Sequence, residues 1–234
     1  MDEIADLVEK FDKFVKTEIK AAVKELDGVG TEANRKHLQR LVYVDLVNRF
    51  DTLIDLLLLK FSVKDGEFKR RVLNETKEDA VFLKDVYEIL LAEDPRGAVE
   101  HRIEGVTRAK FLSLRHSAKL RILLSNCFGW KDAQLDKPRV FTNNGSVFSE
   151  TKRLKPYKVP DSVIGYADWL YSRRNAIVHG EAQKLDAKDA DIMFKKFGAK
   201  TAVSISLKLS SINSAARFYT DICKSLSSLP TDDE

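Results

Sequence analysis

An arginine, an amide and a histidine occur close together in the stretch Arg174-Asn175-Ala176-Ile177-Val178-His179. Histidine can give and take protons near neutral pH. Arginine stays charged and can form two parallel hydrogen bonds to phosphate oxygens. Side chains of these types can together cleave RNA without a metal. His179 would act on the ribose 2'-OH or on the leaving oxygen, and Arg174 would stabilise the charge that develops on the phosphate. Asn175 would orient His179 or Arg174.

A helix is expected to carry these three residues. At about 100° per residue, Asn175 and His179 are four residues apart and share one face. Arg174 lies one residue behind that face, and its long side chain can swing round to it. Asp161 or Ser162 would cap the start of the helix, and Gly180 would end it. The opposite, apolar face would pack on the core through Val163, Ala167, Leu170 and Ile177.

The same residues resemble a known family. Arg174, four further residues and then His179 match the Arg-x4–6-His motif of the HEPN superfamily. The surrounding Arg-Asn-x-x-Val-His-Gly is similar to the form common in bacterial HEPN proteins. The resemblance extends over roughly residues 35–228, and residues 174–180 are its diagnostic part.

This resemblance implies a mainly α protein, a HEPN-like helical bundle that dimerises so that two motifs meet across a cleft. It also implies metal-independent endoribonuclease activity, often in toxin–antitoxin or antiphage systems, and no metal or other cofactor. RNA, a second copy of the chain and a cognate antitoxin or regulatory protein are then the expected partners. The chemistry also favours a dimer, because the reaction needs a proton acceptor and a proton donor and each chain has one motif histidine.

Two other interpretations remain open. The first is a non-catalytic HEPN module that binds RNA, a nucleotide or a partner protein in the same cleft. The second is a helical interaction protein with an incidental motif, since cations near a helix C-terminus also suit the helix dipole. The motif is short, so its residues alone do not decide among the three.

Basic residues are concentrated just ahead of the motif. The net charge of +4 is too small to imply nucleic acid, but residues 137–158 contain six bases and one acid. We expect this charge to meet a phosphate backbone, and the predicted RNA-binding residues are Lys152, Arg153, Lys155, Lys158 and Arg173. Within this segment, Asn-Gly between short apolar runs predicts a small β hairpin over 139–149. The segment either contacts RNA or is a solvated loop, and neither alternative is preferred.

The predicted domains are an N-terminal amphipathic helix over 1–30, a HEPN-like domain over 31–229 and a disordered tail over 230–234. The first helix could be an arm on the domain or on a partner, although an ordinary core helix is more common. The most apolar run, 53–61, is too short to span a membrane. Two cysteines without a disulfide pattern suggest buried thiols in a reducing cytoplasm.

Apolar periodicity predicts further helices over about 31–61, 66–93, 107–126, 187–197 and 210–228. A period of two predicts a short strand over 203–209. The basic side chains of Arg108, Arg115 and Lys119 are expected to snorkel outward, the alternative being that they line an RNA cleft. Asn48 or Arg49 could reach the motif, although a solvated helix face ordinarily explains such residues.

Overall fold

The computed structural model describes residues 2–64, 66–75, 83–136, 159–179, 184–202 and 204–227. Helices account for 82% of them, and no strand is assigned within these ranges. The expected mainly α class is therefore confirmed. The predicted hairpin over 139–149 and the tail over 230–234 lie outside the described residues. None of the described helices is both long enough and apolar enough to cross a membrane.

The helices follow the apolar periodicity with a few interruptions. The α-helices are α1 (Asp2–Phe14), α2 (Lys20–Glu25), α3 (Glu32–Val63), α4 (Glu67–Glu75), α5 (Leu83–Leu91), α6 (Pro95–Val106), α7 (His116–Ile122), α8 (Asp132–Leu135), α9 (Val163–His179), α10 (Ala187–Phe197) and α11 (Leu209–Ser227). Three π-helical segments, Val15–Ile19, Thr107–Leu112 and Leu123–Cys127, adjoin them, and a 3-10 turn, Leu26–Gly28, follows α2.

The chain forms two compact units. The first contains Met1–Leu53 and Lys131–Glu234, and the second contains Ile54–Trp130. Helix α3 passes from one to the other, so its first part belongs to the first unit and its end to the second. The motif helix α9 lies in the first unit, together with α1, α2, α8, α10 and α11.

Aromatic packing holds the N-terminal helix to the first unit. The ring of Phe11 lies 5.4 Å from that of Phe50 and 6.4 Å from that of Tyr219. Phe50 and Tyr219 stack at 4.0 Å. The π segment adds a residue to one turn, which lets Phe14, Val15 and Ile19 all be buried. The segment predicted as an arm or a core helix thus packs on its own chain.

The second unit corrects two predictions for residues 107–126. A single helix was expected there, but the chain leaves the helical path at residues 113–115. The hydroxyl of Ser113 donates to the carbonyl of Ala109 at 2.8 Å just before the break. Lys119 does not snorkel, because it is buried and its ammonium pairs with Asp55 at 2.6 Å. Arg108 does point outward and pairs with Glu104.

The strand predicted over 203–209 is not formed in its described part, residues 204–209. Residues 204–208 carry an isolated antiparallel bridge between Ser204 and Lys184, and α11 already begins at Leu209. The carbonyl of Lys208 accepts from the backbone N–H of Ser211 at 2.9 Å. The backbone of Lys208 is therefore used to start α11 rather than to extend a ladder.

Candidate functional site

Helix α9 is fixed at its start and in its middle. The hydroxyl of Ser162 accepts from the backbone N–H of Gly165 at 3.0 Å, which is the predicted N-cap. From the neighbouring helix α3, the hydroxyl of Tyr43 donates to the carbonyl of Leu170 at 2.9 Å. Burial raises the pKa of this tyrosine above its ordinary value, so its hydroxyl stays protonated and remains a donor.

The apolar face of α9 lies mostly where the sequence predicted it. Val163, Ala167 and Leu170 are fully buried, whereas Ile177 is half-buried. The helix is buried on most sides through its first two turns and opens to solvent towards His179. The motif therefore lies at the exposed end of a well-anchored helix.

Two amide oxygens orient the guanidinium of Arg174. Its Nε donates to Oδ1 of Asn48 on α3, and its Nη1 donates to Oδ1 of Asn175 at 2.7 Å. Its central carbon lies 5.4 Å from the ring centre of Tyr171. Arg174 thus does swing round to the face of Asn175, and Asn175 orients the arginine rather than the histidine.

The charge of Arg174 is positioned but not neutralised. Both of its hydrogen-bond acceptors are neutral amides, and no carboxylate of the described residues lies within ion-pairing distance of it. The Nη2 of Arg174 has no hydrogen-bond acceptor among the described residues. A half-buried guanidinium whose Nη2 and charge have no partner among the described residues is suited to bind a phosphate or another anion.

His179 is the last residue of α9 and is exposed. Its neighbour Val178 is also exposed, at 45%. No hydrogen bond or ion pair within the described ranges involves the imidazole. Asn175 shares its side of the helix by spacing, but Asn175 is occupied with Arg174. The imidazole is therefore accessible to a ligand or to a second copy of the chain.

Arg173, which was grouped with the RNA-binding residues, is 5% exposed. Its Nη2 donates to the carbonyl of Ser206 at 2.8 Å, and its guanidinium lies 4.5 Å from the ring centre of Trp169. This places it on a different side of α9 from Arg174 and away from an exposed basic surface. The other residues of that group, Lys152, Arg153, Lys155 and Lys158, lie outside the described residues.

Asn48 is the site residue that sequence reasoning weighed and set aside. The position of Asn48 in the sequence of α3 does not predict its contact with Arg174, because this contact depends on how α3 and α9 are aligned. Tyr43 meets Leu170 and Asn48 meets Arg174, so the two helices run in the same direction here. Arg49, the other residue considered, lies elsewhere and pairs with Asp45 and Glu18.

No group of three or more His, Cys, Asp and Glu side chains suited to a metal occurs among the residues that the structure describes. Comparisons of the chain with models of known protein families, with curated proteins and with solved structures gave no match. The family resemblance therefore rests on the motif residues 174–180 themselves.

Proposed function

We propose that this chain is a HEPN-type endoribonuclease that cleaves RNA by attack of the 2'-OH, without a metal. The observation that carries the proposal is the guanidinium of Arg174, which is held beside Asn175 and has no carboxylate partner among the described residues, on the helix that ends with the exposed His179. The motif resemblance supplies the reaction type.

Each group has a role in the proposed reaction. The 2'-oxygen attacks the phosphorus while one His179 takes its proton, and the bond from phosphorus to the 5'-oxygen breaks. A second histidine gives that oxygen a proton, so the products are a 2',3'-cyclic phosphate and a 5'-hydroxyl. Arg174 stabilises the negative charge on the phosphate oxygens in the transition state, and Asn48 and Asn175 hold it in place.

The second histidine would come from another copy of the chain in a two-fold dimer. Two exposed leucines support such an interface. Leu38 and Leu41 are 38% and 52% exposed, and at about 100° per residue Leu41 lies on the same face of α3 as Asn48. Leu41 lies roughly 10 Å along the helix from Asn48, at about 1.5 Å per residue. An exposed apolar surface therefore adjoins the site.

The proposal is tested by incubating the full chain with RNA in excess chelator and comparing the wild type with His179→Ala and Arg174→Ala. We expect each variant to lose at least about 100-fold in cleavage rate while keeping its helical circular dichroism. The wild-type products should end in a 2',3'-cyclic phosphate. Sedimentation at the assay concentration should show a dimer. Equal cleavage by wild type and both variants would point to a contaminating nuclease and would refute the proposal.

The runner-up function is a non-catalytic module that binds RNA, a nucleotide or a partner protein through the same residues. The observation that favours it is that nothing in the described part of the chain orients the imidazole of His179. It predicts a monomer that binds RNA through Arg174 without cleaving it. A wider role as a toxin or antiphage effector in the cytoplasm, controlled by a cognate partner, belongs to the proposal by family resemblance alone.

A further inference from the structure

A cavity of about 380 Å³ lies beside α9 on a different side from Arg174, wholly within the first unit. Arg173, Tyr166 and Trp169 of α9 line one wall. The other wall is the segment before α11 and the first turns of that helix, including Ser206, Lys208 and Ser211. A cavity of this size is in the range of small-molecule sites.

The charge of Arg173 is the unusual feature of this cavity. The side chain is 95% buried, since only 5% is exposed, and burying a charge is costly unless an opposite charge accompanies it. Its hydrogen bond goes to a neutral carbonyl, that of Ser206. Within the described ranges, no carboxylate lies within ion-pairing distance of Arg173. The ring of Trp169 offers a cation–π contact, which leaves the full positive charge in place.

The rest of the lining suits the same kind of ligand. Serine hydroxyls of the wall that faces α9, such as those of Ser206 and Ser211, can donate to an anion. The exposed Lys208 adds a second positive charge at the edge. Tyr166 and Trp169 provide an aromatic surface, their ring centres lying 5.5 Å apart. The cavity thus combines a buried cation with an aromatic wall.

We infer that this cavity binds a small organic anion, whose phosphate or carboxylate group pairs with Arg173 and whose apolar body packs on Trp169. The ligand would complete the missing charge pair. The inference is independent of the proposed ribonuclease activity, because neither Arg174 nor His179 lines the cavity.

The test uses the full chain carrying Arg174→Met, so that an anion bound at the proposed RNA site cannot contribute. Phenyl phosphate and benzoate are titrated into it by isothermal calorimetry, with phenol as the uncharged probe. We expect saturable binding of at least one anion, tighter than about 1 mM, and at least tenfold weaker binding of phenol. Adding Arg173→Met should weaken binding of the anion at least about tenfold, because one charged hydrogen bond is lost.

A second variant keeps Arg173 and fills the space instead. Ser211→Leu in the Arg174→Met chain should also abolish binding, and Arg217→Met, an exposed change on the same helix, should leave it unaltered. Circular dichroism checks the fold of each variant. No saturable binding by either anion, or binding that survives both Arg173→Met and Ser211→Leu, would overturn the inference and leave Arg173 as an anchor for the segment around Ser206.

Discussion

At the scale of single residues, Asn48 is the side chain whose role the structure brings out. It lies 126 positions before Arg174 in the chain and accepts from its Nε. A guanidinium held at two points loses less freedom when it binds a phosphate, and small misplacements of a catalytic group are expensive. Asn48 acts through Arg174 and is therefore a positioning residue in the proposed reaction.

Replacing Asn48 with alanine should slow RNA cleavage by about 10- to 100-fold, mainly through kcat, because Arg174 keeps its charge but loses its fixed direction. Asn48→Asp should restore the direction yet neutralise the charge, so RNA binding should weaken. Steady-state cleavage kinetics measure both effects. Arg49→Ala is the matched control, since this neighbouring side chain pairs away from the site. Equal losses in Asn48→Ala and Arg49→Ala would argue against the positioning role.

Tyr219 shows a different feature, a buried hydroxyl with no hydrogen-bond partner among the described residues. Its ring stacks on Phe50 at 4.0 Å, so phenylalanine would keep the packing and remove the unsatisfied oxygen. We expect Tyr219→Phe to raise the free energy of unfolding by about 1 kcal/mol. Urea unfolding followed by circular dichroism gives the value, and a loss of stability would show that the hydroxyl has a partner after all.

At the scale of the helices, a glycine decides how closely α9 packs. A Cβ at Gly165 would lie 2.8 Å from Phe197, Pro160 and Ser162 atoms. Gly165→Ala should therefore lower the free energy of unfolding by about 1–3 kcal/mol. At Gly105, in α6, nothing lies within 4 Å of the added carbon, and alanine should stabilise the helix by about 0.5–1 kcal/mol. Thermal unfolding of the two variants should shift in opposite directions, and a similar shift in both would contradict this account.

The helices and their caps could largely be predicted from the sequence, because both are local. Ser162 caps α9 as predicted, and Thr31 and Asp186 accept backbone hydrogen bonds in the same way at the starts of α3 and α10. The break at residues 113–115 could not be foreseen, because it contains no proline or glycine to signal it. The π-helical segments could not be predicted either. The apolar spacings of α-helices and π-helices overlap, so the sequence pattern does not tell them apart.

The candidate site could be predicted only in part. The link from Arg174 to Asn175 is between neighbours in sequence, and the spacing allowed for it. Arg173 donates to the segment before α11 and Arg174 donates to Asn48 of α3, and this difference depends on what packs against each side of α9. Two adjacent arginines look alike in the sequence, and tertiary packing alone separates them. Lys119, buried against Asp55, was misjudged for the same reason.

At the scale of the whole molecule, buried hydroxyls and thiols should lower the free energy of unfolding at alkaline pH. Burial raises the pKa of Tyr166 and of Cys223 to about 12, and raises that of Tyr43 and Tyr219 as well. These groups stay protonated in the folded chain while the unfolded chain releases its protons, so stability is complete below the unfolded pKa values. It should fall as pH rises from about 9 towards 12.

This dependence can be measured as the free energy of unfolding in urea at pH 7.5, 9 and 10.5. The decline should be smaller in Tyr219→Phe, which removes one of the raised groups, than in the wild type. A flat profile up to pH 10.5, or an unchanged slope in the variant, would contradict the assignment of these buried groups as the cause.

The discontinuity of the first unit has a consequence for the order in which the chain is made. Asn48 is synthesised before the second unit, Ile54–Trp130, begins, and Arg174 is synthesised after that unit is finished. At roughly 5–20 residues per second, the 126 positions between them take about 6 to 25 s. For the proposed ribonuclease, the phosphate-binding arginine is therefore made only after the second unit has been synthesised, so a nascent chain that ends before Arg174 should not cleave the message that encodes it.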